Sequence, residues 1–395
     1  MEYVLESPES GRHILPDLVR AVALIGIALV NVSVIAYPLM GSYLHGGLNT
    51  HWDVGAFFLV MTFCTMKFYP LFAFMFGVGF AYQMRSTRRE SAGFSGRYFR
   101  RILGLLFFGL VNIALFYQGD ILILYAILGN LLFLFRNAST RTVLRWGIGF
   151  FILQILVFAA ITIGLYLGQM HAHEAIGAEL DEMARAVTRS QAVYGAGTFT
   201  DSIALRFKEW SEIIQIGIFL DGLGAMAFFL FGLAAVKSGI ITEPHISIWG
   251  WFRRIFLPIG VLGSMIGAYI QAQGDSMLSP ASMLGMTLIA FFAFFLSTGY
   301  LGLLAKWAET PATGFKTFLM RGGTASLTAY LMQGLILSLI FNAYGLGLFG
   351  KPGAALCILI ALATAFFTLA FTSVWRKRYT RGPLEYALRK LTYLQ

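Results

Sequence analysis

The sequence predicts an all-α, polytopic transmembrane helical bundle of about ten spans with both termini cytoplasmic. Three observations predict it. Of the 395 residues, 58% are hydrophobic and only 12% are charged. Apolar runs of about twenty residues recur along the chain, each long enough to cross a bilayer core. Finally, of 29 Lys and Arg residues, all but Lys67 and five others (Arg185, Arg189, Arg206, Lys208 and Lys351) fall in loops on one side of such a bundle, which marks that side as cytoplasmic. The net charge of +10 therefore reads as membrane topology rather than nucleic-acid binding. A single membrane domain over 1–395 is expected.

The expected spans run over about 18–37, 55–83, 99–117, 120–135, 146–168, 213–236, 253–272, 281–304, 322–343 and 354–375. The first contains DLVRAVALIGIALVN, Asp17–Asn31. Arg20 and Asn31 are eleven positions apart, so they face the same way to within about 20° and lie about 16 Å apart along the axis. Asp17 is one turn before Arg20 on that side. Polar groups in hydrocarbon are costly unless they meet other helices or a wet cavity. The pair therefore reads as a site, against Arg20 snorkelling at a helix end and Asn31 joining two helices. The four early acids, Glu2, Glu6, Glu9 and Asp17, and the lack of a small-residue cleavage site leave this run as a span rather than a signal peptide.

In the first outer loop His45 and His51 flank Asn49, and His51 precedes Trp52-Asp53. A histidine there can be a base or a transient acyl carrier, or an interfacial anchor. The second span carries Lys67-Phe68-Tyr69-Pro70, where Pro70 is expected to kink the helix. A mid-membrane lysine must meet an acid, a lost proton or an anionic ligand. After the third span, with Asn112 inside it, comes Tyr117-Gln118-Gly119-Asp120. Asp120 can orient a histidine, bind a hydroxyl or cap the short following helix. The segment 169–212 is an expected outer loop with a surface helix over 173–190. Asp221, in the sixth span, is the expected partner of Lys67. Late in the chain, Tyr330 and Gln333 share a helix face and can join helices. Cys64 and Cys357 read as small buried hydrophobes. Glycines inside the spans allow close helix packing and are compatible with a homodimer. No Walker loop, HExxH or CxxC occurs, which argues against an ATP-driven pump and a zinc protease.

Five stretches carry a family resemblance. The Arg20-to-Asn31 spacing, KFYPLFAFMFGVGFA (67–81), RRILGLLFFGLVNIALFYQGDILILYAILG (100–129), GGTASLTAYLMQ (322–333) and RGPLEYALRKLTY (381–393) together resemble the YeiB-like family. This is a bacterial membrane family named for domain of unknown function 418. The resemblance covers nearly the whole chain and is weakest over 140–215. It implies kinship with membrane acyltransferases of the acyltransferase-3 and heparan-α-glucosaminide N-acetyltransferase type. Those enzymes pass an acyl group from cytoplasmic acyl-CoA to a hydroxyl or amine on the far side. Arg20 matches the first-span arginine of the motif, and Asn31 matches its polar partner, an asparagine in the glucosaminide acetyltransferases. His51-Trp52 is similar to their His-x-x-Trp loop, with the two residues adjacent here. Asn112 stands where many YeiB-like chains have histidine, and Ala21 where glycine is usual.

The resemblance and the residues together lead to these expectations. Arg20 and Lys67 hold a phosphate-bearing acyl-CoA co-substrate. His51 is the base or acyl carrier, oriented by Asp120, with Asn31 as its catalytic companion. Asn112, Gln118, Asp221, Tyr330 and Gln333 bind the acceptor, a glycan or a lipid. No tightly bound cofactor or metal is expected, and the other partners are membrane lipids of a bacterial inner membrane. The alternative is a transporter or flippase of a small amphiphile or lipid, with Lys67, Asp120 and Asp221 lining its path. A structural or signalling role is the third reading.

Overall fold

The computed structural model describes residues 14–39, 47–87, 93–171, 173–274, 276 and 278–393, and all regular elements among them are helical. His45, Arg12, Arg88 and Arg89 lie outside the described residues. Helix α1 (Ile14–Ala36) packs against α3 (Phe68–Thr87), α13 (Gly314–Gly323), α14 (Ser326–Phe341) and α15 (Ala354–Arg378). Around them lie α2 (His51–Phe63), α4 (Phe94–Leu115), α5 (Ile121–Leu134), α6 (Thr140–His171), α9 (Leu223–Lys237), α11 (Leu257–Gln271) and α12 (Pro280–Glu309). The short α10 (Ser247–Trp251) leads into α11. Among the described residues, eight helices or helix runs are long and apolar enough to cross a membrane, or nine if the bent pair α13–α14 counts as one. The chain is a multi-pass helical membrane protein.

The count differs from the expected ten for a physical reason. With 14 residues, α5 extends about 21 Å, short of a bilayer core of ~30 Å. The expected span over 322–343 is bent: α13 and α14 meet at 86°. The bend leaves backbone N–H groups at the start of α14 without helical partners. Glu385 supplies them. Its Oε1 accepts from Leu327 N at 2.7 Å and Thr328 N at 3.1 Å, and its Oε2 accepts from Thr328 Oγ1 at 2.7 Å. Glu385 belongs to the terminal helix α16 (Pro383–Tyr393), so the RGPLEY stretch serves as a helix cap.

The second expected span is likewise two helices, α2 and α3, separated by residues 64–67. Pro70 does not make the kink. It sits in the first turn of α3, where its missing N–H removes no helical bond. The break is held from outside. Ser297 Oγ donates to Lys67 O at 2.8 Å, and Tyr300 OH donates to Phe63 O at 2.9 Å. Near the middle of α3, glycine permits a backbone-to-backbone crossing with α9. A Cβ on Gly77 would lie 2.0 Å from Phe229 O, and one on Gly232 would lie 2.0 Å from Phe74 O.

Within the 169–212 segment, α7 (His173–Ala196) extends past the expected surface helix, and α8 (Phe199–Gly217) follows it. Arg206, 1% exposed, donates to Ala114 O and Tyr344 OH, each at 2.8 Å. Glu209 accepts from Ser190 Oγ at 2.6 Å and Tyr194 OH at 2.8 Å. Burial and the adjacent Glu209 carboxylate push the Tyr194 hydroxyl well above its ordinary pKa, so it remains a donor. The Glu209 bonds join α7 to α8, and the Arg206 bonds fasten α8 onto the bundle, beside the cavity described next.

Candidate functional site

A cavity of about 420 Å³ lies between α1, the α2–α3 break, α5, α8, α11 and α12. It lies at the end of the bundle away from the arginine-rich loops. Five residues singled out in the sequence line it: Asn31, Gln118, Asp120, Asp221 and Tyr330. The remaining wall is mostly aliphatic and aromatic, which suits a ligand with a substantial apolar body.

Asp120 is 6% exposed and strongly held. Its Oδ2 accepts from Asn112 Nδ2 at 2.7 Å and from Tyr330 OH at 3.4 Å. Its Oδ1 accepts from Ile123 N at 3.0 Å, so Asp120 is also the N-cap of α5. Both the capping and the binding roles read from its sequence position thus fall on one carboxylate. Tyr117 OH donates to Asn31 Oδ1 at 3.4 Å, and Gln118 Nε2 donates to Val34 O at 3.4 Å. These two bonds tie the 116–120 turn to the end of α1. Gln333 Nε2 reaches Leu24 O at 3.3 Å and Thr368 Oγ1 at 3.4 Å, joining α14 to α1 and α15. It lies behind the cavity rather than on it, beside a small gap that it shares with Asn112, Asn31 and Tyr330.

Asp221 is presented differently. It sits in a single π-helical turn, Ile218–Gly222, inserted between α8 and α9. Such a turn disrupts the i→i−4 ladder and re-aims side chains. The disturbed Leu220 carbonyl accepts instead from Gln154 Nε2, and Gln154 Nε2 also donates to Tyr69 OH at 3.3 Å. Gly222 packs on Leu124 of α5, which brings the turn to the helix that Asp120 caps. Among the described residues Asp221 has no hydrogen-bond or ion-pair partner.

Lys67 and Asp221 do not pair. The Lys67 side chain is fully buried and its Nζ donates to Met61 O at 3.0 Å. The amino group therefore donates to the carbonyl end of α2. The neighbours of Lys67, Cys64–Met66 and Phe68–Tyr69, do line the cavity. Among them Met66 holds a left-handed φ of 62°, a conformation that costs a non-glycine residue about 1–2 kcal/mol. Backbone of this kind clusters at functional sites.

Two other expected residues lie elsewhere. Arg20 remains near the basic end of α1, paired with Asp17 Oδ1 at 3.3 Å. His51 opens α2 as an exposed residue, and the bonds of Asp120 go to Asn112, Tyr330 and Ile123 rather than to it. Asp53 fills the structural role there, completing a capping box with Thr50 and accepting from Ala355 N at 2.9 Å. Sequence reasoning missed Tyr69, Gln154 and Trp210. Gln154 was the detectable one, a lone amide inside the apolar 146–168 run; the other two read as ordinary aromatic packing. Among the described residues no group of His, Cys, Asp and Glu is arranged to hold a metal.

Comparison with known proteins places these features. Residues 235–395 match the family model described as "Protein of unknown function (DUF418)". That segment contributes Gln271, Ser282 and Tyr330 to the cavity, while Asn31, Asp120 and Asp221 precede it. The chain is 29% identical over 394 residues to "Uncharacterized protein YxaH" of Bacillus subtilis (strain 168), covering 96% of this chain and 93% of the relative. It is 25% identical over 395 residues to "Uncharacterized protein YeiB" of Escherichia coli (strain K12), covering 96% of each. No solved structure matches. The C-terminal part of the chain is thus similar to the DUF418 family, and the whole chain is similar to YxaH and YeiB.

Proposed function

We propose that the chain is an acyltransferase-like protein of the bacterial inner membrane, with both termini cytoplasmic, and that its cavity holds the acyl acceptor. The acceptor is an amphiphile bearing a hydroxyl or amino group. The observation that carries this reading is the convergence of Asp221, Asp120, Asn31 and Tyr330 on one otherwise apolar cavity. Helix α1 supports it by carrying Arg20 at the basic end and Asn31 at the cavity, about 16 Å apart along the axis. An anionic donor anchored near Arg20 would lie at one end of this helix and the acceptor at the other. Attack of the acceptor on the acyl carbonyl requires loss of its proton. Asp221 is the cavity carboxylate free to take it, and the CoA thiol leaves.

Acetyl-CoA consumption by purified protein in nanodiscs tests this, with long-chain alcohols and amines as acceptors. Acceptor-dependent release of free CoA, reduced about 100-fold in Asp221→Asn, supports the reading. The second reading, an amphiphile transporter or flippase, draws on a separate observation: among the described lining residues no Lys, Arg or His faces the cavity, so nothing there would hold the phosphates of a donor. Movement of an amphiphile across vesicles without CoA release would favour it.

A further inference from the structure

We infer that the cavity selects a positively charged amphiphile: a single amine or ammonium head on a hydrocarbon body, paired with Asp221. This inference rests on the reading of the cavity as a ligand site and specifies the charge of the ligand. The cavity presents two carboxylates, Asp120 and Asp221, and no basic side chain among its described lining residues. Asp120 already has three donors, whereas Asp221 has none among the described residues. An unpaired carboxylate at membrane depth is costly, so a site that keeps one gains by admitting the charge that completes it. Lys67, behind the wall, is committed to Met61 O.

The walls agree with that head group. Tyr69, Tyr117, Trp210 and Tyr330 line the same cavity, and tyrosine and tryptophan faces attract ammonium groups when water is excluded. An anionic head would meet two carboxylates, with no guanidinium or ammonium on the lining to offset them. A neutral hydroxyl head could use Asn31 and Gln118 and donate one hydrogen bond to Asp221, but would leave the carboxylate's charge uncompensated. The apolar remainder, including Leu124, Phe158 and Met286, accommodates a hydrocarbon chain.

The test compares dodecylamine, dodecanol and dodecanoate, three probes of equal chain length and different charge. Their saturable binding is measured on the full-length protein in neutral phosphatidylcholine nanodiscs, with wild type, Asp221→Asn and Asp221→Glu side by side. The expected result is dodecylamine binding at least about ten-fold tighter than either other probe. Asp221→Asn loses that advantage without weakening dodecanol, and Asp221→Glu recovers part of it. Equal binding of amine and alcohol, preference for dodecanoate, or an undiminished amine preference in Asp221→Asn overturns the inference and leaves the cavity reading standing. No saturable binding of any probe to the wild type overturns both.

Discussion

Asn112 Nδ2 donates to Asp120 Oδ2 at 2.7 Å, joining the end of α4 to the N-cap of α5. Both residues are nearly inaccessible, at 1% and 6% exposure. The bond sets the position of the carboxylate that forms one polar edge of the cavity. Replacement of Asn112 by Ala removes the shortest donor to a buried charged group, which typically costs about 1–3 kcal/mol. The expected outcome is a lower melting temperature and weaker amphiphile binding. Asn112→Asp, which places a second acid against Asp120, is expected to be worse than Ala on both measurements.

Glu385 gives a prediction far from the cavity. It caps the bent start of α14 with three hydrogen bonds. Glu385→Ala is expected to lower stability by about 1.5–3 kcal/mol, the range for hydrogen bonds to a charged group. Glu385→Gln, which keeps an acceptor oxygen, should lose less. Thermal unfolding of the three proteins in one detergent checks the order; equal stability would contradict the capping role.

The crossing of α3 and α9 has almost no room to spare. Gly77→Ala and Gly232→Ala each place a methyl group 2.0 Å from a carbonyl oxygen of the other helix. The expected cost is about 1–3 kcal/mol or more for each, read as reduced yield of folded protein and a lower melting temperature. Gly164, with open space around it, is the control: Gly164→Ala should leave stability unchanged or slightly raised.

Much of this architecture is legible in the sequence, because hydropathy and basic-residue placement both follow from the bilayer as solvent. The candidate polar residues were equally visible, since so few occur in apolar runs, and Asn31, Gln118, Asp120, Asp221 and Tyr330 do meet around one cavity. Their partners were harder to read. Lys67 and Asp221 look complementary in a sequence, yet a break in the chain offers Lys67 a carbonyl six residues away. The π turn that aims Asp221 has no residue signature in its sequence IFLDG, and Pro70 marks a helix start as readily as a kink. Which backbone groups a break leaves open depends on tertiary packing by Ser297, Tyr300 and Glu385, and that pairing is not encoded locally.

His51 provides a sharp contrast between loop chemistry and cavity chemistry. It is exposed, and it is not among the residues that line the cavity. His51→Ala is expected to leave amphiphile binding within about two-fold of wild type, as for other exposed positions. A larger loss, with the fold intact by circular dichroism, would bring the outer loop into the site.

Whether the cavity beside α8 holds an amphiphile is tested most directly by site-mapped photolabelling. A diazirine-bearing dodecylamine would be crosslinked to the protein in nanodiscs and the modified peptides identified by mass spectrometry. The account predicts labels on cavity residues such as Leu124, Trp210, Ile214 and Met283, suppressed by excess unlabelled dodecylamine. Labels confined to outward faces such as Ile152, Leu156 and Ile163 of α6, and indifferent to competitor, would contradict it.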